Sequence, residues 1–272
     1  MSTRDEFKEL DSLNEYRVKS INSAYYIKEF IDAQEEQNIL DKIYSAPKPK
    51  WVTLKNRRLQ NWGGIPTERG MLSEPLPSWL TNTIFPRFTK LNIFSECEKF
   101  HLPNHCLINE YLSGQGIMPH EDGPFYFPTI ATVSLKSHTI LCFHKHIDAS
   151  SSTNQPGVNY DTPEFSLLLE PRSLLILKHD LYKKYLHGIQ ERKTDNLVES
   201  NVMNLELTEY YQQRLQKRGR QKNIITSNED ENNEKDIDTD DGDTLLLERD
   251  TRISLTFRIV EKVMKARIFG KK

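Results

Sequence analysis

The sequence predicts a mainly β protein with flanking α-helices, built as a double-sheet antiparallel fold of the jelly-roll or cupin kind. From Cys106 onward, short apolar or alternating runs recur between turn residues, which is the spacing of strands in such folds. Helical patterns are found mainly in the N-terminal third of the chain. The predicted strands are 106–111, 130–135, 138–144, 165–170, 173–177 and 252–260. At 272 residues, the chain fits one large domain with additions.

The chain divides into four segments by residue pattern. Residues 1–22 are polar, and residues 23–104 carry the helical patterns. The predicted strands fall in 105–198 and 246–264, and 199–245 is an inserted loop with a basic and then an acidic run.

Two helices are predicted in the N-terminal part. Asp32 and Glu35 have the spacing of a capping box, in which each side chain pairs with the other residue's backbone. This box predicts a helix that runs to about Ser45, before Pro47. A shorter helix is predicted from Ser78 to Phe85.

Charge is distributed unevenly along the chain. The net charge is −2, but residues 227–243 contain nine acidic residues against one lysine. The remainder therefore has about six positive charges in excess, which permits a polyanionic partner. We expect the acidic run to be disordered. The basic run at 214–222 is either a nuclear-localisation or RNA-contacting patch or the solvated end of a helix.

The cysteines and the N-terminus indicate an intracellular soluble protein. Cys97, Cys106 and Cys142 are odd in number and lack metal-binding or redox spacing, so we expect free thiols in a reducing compartment. The N-terminus lacks an apolar signal region, and no apolar run is long enough to span a membrane.

The strongest chemical signal is His-Glu-Asp at 120–122. Alternate side chains of an extended backbone share a face, so His120 and Asp122 can bind the same metal ion. A second histidine would complete a 2-His-1-carboxylate facial triad, which binds Fe(II) and leaves coordination positions open for a cosubstrate and O2. Zinc is a weaker alternative for the same ligands.

His187 is the predicted third ligand. The other histidines either precede the motif or follow it too closely, except His179. Gly188 permits close backbone approach next to His187, and the apolar neighbours limit access of water.

A second polar cluster lies on the last predicted strand. Arg252, Ser254, Thr256 and Arg258 share one face of that strand. A cosubstrate such as 2-oxoglutarate requires a buried cation for its distal carboxylate, and these arginines can supply it. The ordinary explanation is a solvent-exposed face of an amphipathic strand.

Residues 48–64 combine five basic residues with two tryptophans and no acid. This composition suits phosphate contacts and base stacking. The alternative is a basic edge whose tryptophans pack inward.

In several motifs the chain resembles the AlkB-like Fe(II)- and 2-oxoglutarate-dependent dioxygenases, most closely the branch of the sixth eukaryotic AlkB homologue. The similarity covers about 46–197 and 247–260. The motifs, in order, are LQNWGG at 59–64, NEY at 109–111, GIMPHEDGP at 116–124, LLEPRSLL at 168–175, YLHGI at 185–189 and RISLTFR at 252–258.

The resemblance implies a double-stranded β-helix with a substrate lid in 23–104. It implies that His120, Asp122 and His187 are the catalytic iron ligands. It also implies that 2-oxoglutarate binds to residues of two strands, with Ser254 standing where the bacterial prototype has asparagine. The cosubstrate residues are Asn109, Tyr111, Arg252, Ser254, Thr256 and Arg258, and the expected substrate contacts are Lys50, Trp51, Arg57, Arg58, Trp62 and Tyr126.

The implied activity is oxidative demethylation of an alkylated base in DNA or RNA. Separately from the resemblance, we expect a monomer in the nucleus, the cytoplasm or both. The activity requires Fe(II), 2-oxoglutarate and O2, and it releases succinate, CO2 and formaldehyde. For a base, flipping or a single strand is needed to reach the iron. Two alternatives stay open: a hydroxylase or demethylase of a protein substrate, and a non-catalytic nucleic-acid-binding protein.

Overall fold

The computed structural model describes residues 12–145, 162–197, 199–213 and 246–264. The acidic run, the basic run and most of the loop predicted at 150–163 lie outside these residues. Residues 205–207 form a 3-10 helix, and 209–213 are helical.

Within these ranges the protein is mainly β, as predicted. The α-helices that lie wholly within these ranges are α1 (Ala33–Tyr44), α2 (Ser78–Lys90) and α3 (His179–Lys183). The strands are β1 (Ala24–Ile27), β2 (Val52–Leu54), β3 (Arg57–Trp62), β4 (Met71–Leu72), β5 (His105–Tyr111), β6 (Ile117–His120), β7 (Thr129–Leu135), β8 (Thr139–Lys145), β9 (Phe165–Leu169), β10 (Leu174–Lys178), β11 (Tyr185–Ile189), β12 (Thr194–Asn196), β13 (Leu246–Glu248), β14 (Arg252–Arg258) and β15 (Val263–Met264).

Two antiparallel sheets form the body of the protein. The large sheet has the order β1-β10-β7-β14-β5-β3-β2, and the small sheet has the order β6-β11-β8-β9. Strands β1, β2 and β3 come from the segment predicted as N-terminal helices and lid, yet they extend the large sheet. Two short pairs, β12-β13 and β4-β15, lie outside both sheets.

Strand β10 of the large sheet is buried on both faces, which explains why its first four residues are all apolar. In β10, Leu174 and Ile176 pack in the cluster that contains residues of α1 and α2. The alternate residues Leu175 and Leu177 pack in a second cluster with residues of the small sheet. The sheet is therefore the middle layer between the helices and the small sheet, where near-continuous apolar runs are expected.

The predicted capping box begins α1: the Asp32 side chain accepts from the Glu35 backbone, and the Glu35 side chain accepts from the Asp32 backbone. The predicted end of α2 at Phe85 is wrong, because the helix continues through Pro86 to Lys90. Phe88 explains the extension: its ring is fully buried and contacts the rings of Phe94 and Phe257. This packing outweighs the helix-breaking tendency of proline.

No helix in the described ranges combines the length and the apolar character needed to cross a membrane.

Candidate active site

The structure brings His120, Asp122 and His187 together at one end of the space between the sheets. His120 ends β6, and it pairs in register with His187 of the neighbouring strand β11. Their ring centroids are 4.6 Å apart, and the His187 Nε2 atom lies 3.8 Å from Asp122 Oδ2. One ligand atom from each of the three residues lies within 4.8 Å of the others. These three ligand atoms are close enough together to bind a single metal ion.

Gly188 allows β11 to approach β6 this closely. A Cβ atom at this position would lie 2.8 Å from the Pro119 nitrogen and 2.9 Å from the Ile117 oxygen. The pairing of the two strands also shifts between His187 and Ile189. A side chain here would therefore separate the strands that carry the two histidines.

Both histidines favour the neutral form that binds metals. Burial lowers the pKa of His187 to about 4, and burial also lowers the pKa of His120. The Nδ1 atom of His120 lies 2.9 Å from the backbone oxygen of Met118. A carbonyl can only accept a hydrogen bond, so Nδ1 is the protonated nitrogen and Nε2 keeps its lone pair for a metal.

Asp122 is a buried carboxylate that is only partly satisfied. Its Oδ1 atom accepts from the Arg258 guanidinium, whereas its Oδ2 atom has no hydrogen-bond partner among the described residues. Burial raises the pKa of Asp122, but the charge of Arg258 and its hydrogen bond outweigh burial and keep this pKa below its usual value. An ionised oxygen without a partner, beside two neutral imidazoles, fits a divalent cation.

A cavity of about 240 Å³ extends from the three ligands along the large sheet. Arg252, Ser254, Thr256 and Arg258 line it from β14, and all four are more than nine-tenths buried. The ordinary explanation for this polar row, a solvent-exposed face, is therefore wrong. The row faces the interior, where its guanidiniums favour a bound anion.

Arg252 lies at the end of this row away from the metal ligands. Its Nη2 atom donates to Ser134 Oγ at 2.8 Å, and its Nε–H has no partner among the described residues. Burial lowers the pKa of Arg252 to about 10, so the group remains a cation at neutral pH. A buried guanidinium with spare donors fits a carboxylate.

Asn109 and Tyr111 line the same cavity from β5. They pair in register with Ser254 and Arg252 of the adjacent strand β14. The Arg252 guanidinium lies 6.0 Å from the centre of the Tyr111 ring. All six residues predicted for the cosubstrate therefore line one cavity.

The six predicted substrate contacts are not brought together. Arg57 and Tyr126 line the cavity, whereas Lys50, Trp51, Arg58 and Trp62 do not. The two tryptophans instead pack against the core on the helix side of the large sheet. Each ring is covered by a cation, Trp51 by Arg58 and Trp62 by Lys50, both at 4.1 Å. Alternation along β3 explains this, since Arg58 and Trp62 point away from the face that bears Arg57.

Three further residues of the site were missed in the sequence. Ser134 holds Arg252, and the Tyr182 hydroxyl donates to the Gly123 oxygen at 2.6 Å, which supports the turn after Asp122. His105 is buried beside the ring of Tyr126 without a hydrogen-bond partner in the described ranges. No local pattern marks these residues, because each depends on pairing with a distant segment.

The fold and the site define a class of protein, and the sequence comparisons identify it. Residues 23–258 match the model of the 2OG-Fe(II) oxygenase superfamily, and the chain belongs to this family. It is therefore an oxidoreductase that uses Fe(II) and 2-oxoglutarate, with a His-Asp-His triad.

Within this family the chain is similar to AlkB-type proteins. It is 40% identical over 267 residues to the "Probable RNA/DNA demethylase ALKBH6" of Danio rerio, covering 97% of this chain and 98% of that protein. It is 29% identical to the uncharacterized protein L905 of Acanthamoeba polyphaga mimivirus, over 66% of this chain and 79% of that one. The solved structure of OsALKBH1 aligns with 88% of this chain and 98% of its own, with a TM-score of 0.48 and 14% identity.

Proposed function

We propose that this oxygenase removes alkyl groups, methyl in particular, from bases of DNA or RNA. The observation that carries the proposal is a complete triad at the end of a cavity whose other end holds a buried arginine. The name of the Danio rerio relative, a probable RNA/DNA demethylase, supports the substrate class.

In this proposal, His120, Asp122 and His187 hold Fe(II). With 2-oxoglutarate and O2, the bound iron supplies the oxidation of a C–H bond, while the keto acid is converted to succinate and CO2. A methyl group on nitrogen that gains a hydroxyl in this way leaves as formaldehyde.

The chain's own residues bind and orient the reactants. Arg252 pairs with the distal carboxylate of 2-oxoglutarate, and Asn109 and Tyr111 hydrogen-bond to the same molecule. Arg258 holds Asp122 in place and would pair with the second carboxylate. Ser254 and Thr256 line the cavity between the arginines. Apolar side chains of both sheets complete the walls, and they limit the access of water to the reaction.

The substrate contacts best supported by the structure are Arg57 and Tyr126, because both line the cavity. Tyr126 presents a ring on which a flipped base can stack. Its ring is fixed by the Arg258 guanidinium, which lies 4.8 Å from the ring centre. Lys50, Trp51, Arg58 and Trp62 can reach nucleic acid only outside this cavity.

Formaldehyde release separates the substrate classes. Methylated DNA and RNA oligonucleotides, single- and double-stranded, would be compared with methylated peptides under identical Fe(II) and 2-oxoglutarate concentrations. We expect release from an oligonucleotide and none after His120→Ala. Release from peptides alone would favour the protein-demethylase alternative. Keto-acid turnover no faster than that of His120→Ala would favour a binding protein.

The proposal also covers the domain organisation, the oligomeric state and the cellular compartment. The segments 105–198 and 246–264 would form the oxygenase core, with 23–104 and the inserted 199–245 added to it. We expect a monomer in the nucleus or the cytoplasm. The three free, buried cysteines support a reducing compartment.

A further inference from the structure

The hairpin formed by β2 and β3 reaches the cavity through Arg57. The sequence predicts Arg57 only as a substrate contact. A two-residue turn, Lys55-Asn56, joins the strands, and Leu54 pairs with Arg57 across it. Leu59 pairs with Asn109 of β5. Residues in register share a face of the sheet, so Arg57, two positions from Leu59, projects on the same side as Asn109.

Arg57 contacts Asn109 directly. Its Nε atom donates to Asn109 Oδ1 at 3.2 Å. A guanidinium can only donate hydrogen bonds, so the atom that faces Arg57 must be the amide oxygen. This contact fixes the orientation of the amide and leaves the Asn109 NH2 group to donate elsewhere. Since Asn109 is 7% exposed and lines the cavity, its NH2 group can serve a ligand there.

Arg57 also changes the charge balance of the cavity. Of the three arginines that line it, Arg258 is paired with Asp122 and Arg252 with the Ser134 hydroxyl. Arg57 forms no ion pair with any acid that the structure describes. Two cations without acidic partners match a dianion such as 2-oxoglutarate better than a neutral base.

The tip of the hairpin is held to the small sheet. The Asn56 side chain donates to the Glu191 carboxylate, which follows β11 in the chain. The backbone of 189–191 packs directly against Gly116: a Cβ atom on Gly116 would lie 2.2 Å from the Ile189 oxygen and 3.1 Å from the Glu191 nitrogen. The hairpin thus contacts Asn109 of the large sheet on one side and the small sheet on the other.

From these contacts we infer that Arg57 is a positioning residue of the cosubstrate site. It orients the Asn109 amide toward the keto acid, and the Asn56–Glu191 contact holds the hairpin in position. This inference rests on the proposed cosubstrate site and assigns Arg57 to it, apart from any nucleic-acid contact.

The test is calorimetric titration of 2-oxoglutarate into the full chain loaded with Mn(II), without substrate or turnover. We expect Arg57→Ala to weaken 2-oxoglutarate binding about tenfold, the size of one charge-assisted hydrogen bond. Arg57→Lys should recover part of the loss. Lys55→Ala is the matched control, because it removes the same charge from the same hairpin. It should change the affinity by less than about twofold.

A double-mutant cycle separates positioning from a general effect of charge. If Arg57 acts through Asn109, then Asn109→Ala and the double variant should lose about the same affinity as Arg57→Ala alone. Glu191→Ala should weaken binding by a smaller factor, and Mn(II) affinity should be unchanged in every variant. Additive losses near a hundredfold, or wild-type affinity in Arg57→Ala, would overturn the inference. Failure of the wild type to bind 2-oxoglutarate would instead overturn the proposed cosubstrate site.

Discussion

At the scale of single residues, the site depends on buried polar groups that are left incompletely paired. Asp122 Oδ2 and the Nε–H of Arg252 have no partners among the described residues, although both are buried. Such groups cost stability unless a ligand satisfies them. The two atoms lie in residues at opposite ends of one cavity, so a metal and a dicarboxylate can satisfy both.

Arg252 provides the most direct test of cosubstrate recognition. We expect Arg252→Met, which keeps the length and removes the charge, to weaken 2-oxoglutarate binding by about a hundredfold or more, because a buried ion pair is lost. Mn(II) binding should be unchanged, because Arg252 lies far along the cavity from the triad. Calorimetry with each ligand in turn measures both effects. A variant that binds 2-oxoglutarate normally would contradict the assignment.

Gly188 tests whether backbone approach positions the triad. A Cβ atom at this position would lie 2.8 Å from the Pro119 nitrogen, and backbone atoms cannot move aside as a flexible side chain can. We expect Gly188→Ala to push β11 from β6 and to weaken Mn(II) affinity at least about tenfold, since ligand geometry controls metal affinity. Unchanged Mn(II) affinity in the folded variant would show that the strands can adapt.

At the scale of elements, a buried ion cluster fixes the pair β12-β13. Asp195 is fully buried and pairs with Arg249 through both carboxylate oxygens at 2.6 and 2.7 Å. Arg192 and His138 also contact it. Since β13 leads into β14, this cluster holds the chain just before the strand that carries Arg252.

Replacing Asp195 should destabilise this part of the fold. We expect Asp195→Asn to cost about 3–5 kcal/mol, because it leaves Arg249 buried without its counter-charge. The exposed Asp180→Asn, which affects a surface pair with Lys184, should cost less than about 1 kcal/mol. Denaturant unfolding measures both. A cost below that of the control would show that Asp195 is not important for stability.

The same carboxylate predicts a dependence of stability on pH. Burial raises the pKa of Asp195, but its hydrogen bonds with His138 and Arg249 and the arginine charges outweigh burial and hold this pKa well below its usual value. A carboxyl whose pKa is lowered by folding stabilises the folded state at pH values above its unfolded-state pKa. This contribution is lost progressively as the pH falls from the unfolded-state pKa toward the folded-state pKa. The difference in unfolding free energy between wild type and Asp195→Asn should therefore be constant near neutral pH and shrink below about pH 4.

At the scale of the whole molecule, local patterns were enough to predict the triad and six of the strands, β5, β7, β8, β9, β10 and β14. The alternation around His120 and the polar row from Arg252 to Arg258 are visible in consecutive residues. By contrast, the faces of Trp51 and Trp62 depend on how β3 pairs with β5, and the partner of Arg252 comes from β7. The extension of α2 past Pro86 depends on aromatic packing with β14. These features depend on tertiary contacts that no short segment contains.

The two sheets contribute different parts of the site, which leads to a prediction for the whole molecule. The triad lies on or next to strands of the small sheet, whereas Arg252 and Asn109 belong to the large sheet. A metal and keto acid bound together therefore link the sheets, and they bind only the folded state. At a ligand concentration of 100 times Kd, we expect the free energy of unfolding to rise by about 2.7 kcal/mol, which corresponds to an increase of about 5–10 °C in Tm.

Thermal unfolding with Mn(II) alone, with 2-oxoglutarate alone and with both ligands measures this effect. Because we propose Asp122 as a metal ligand and Arg252 as the partner of the keto acid, the two variants should lose different parts of this stabilisation. Asp122→Ala should lose the stabilisation by both ligands, and Arg252→Met should keep only the part due to Mn(II). Equal stabilisation of wild type and Asp122→Ala would show that the ligands bind elsewhere, which would contradict a single site shared by the two sheets.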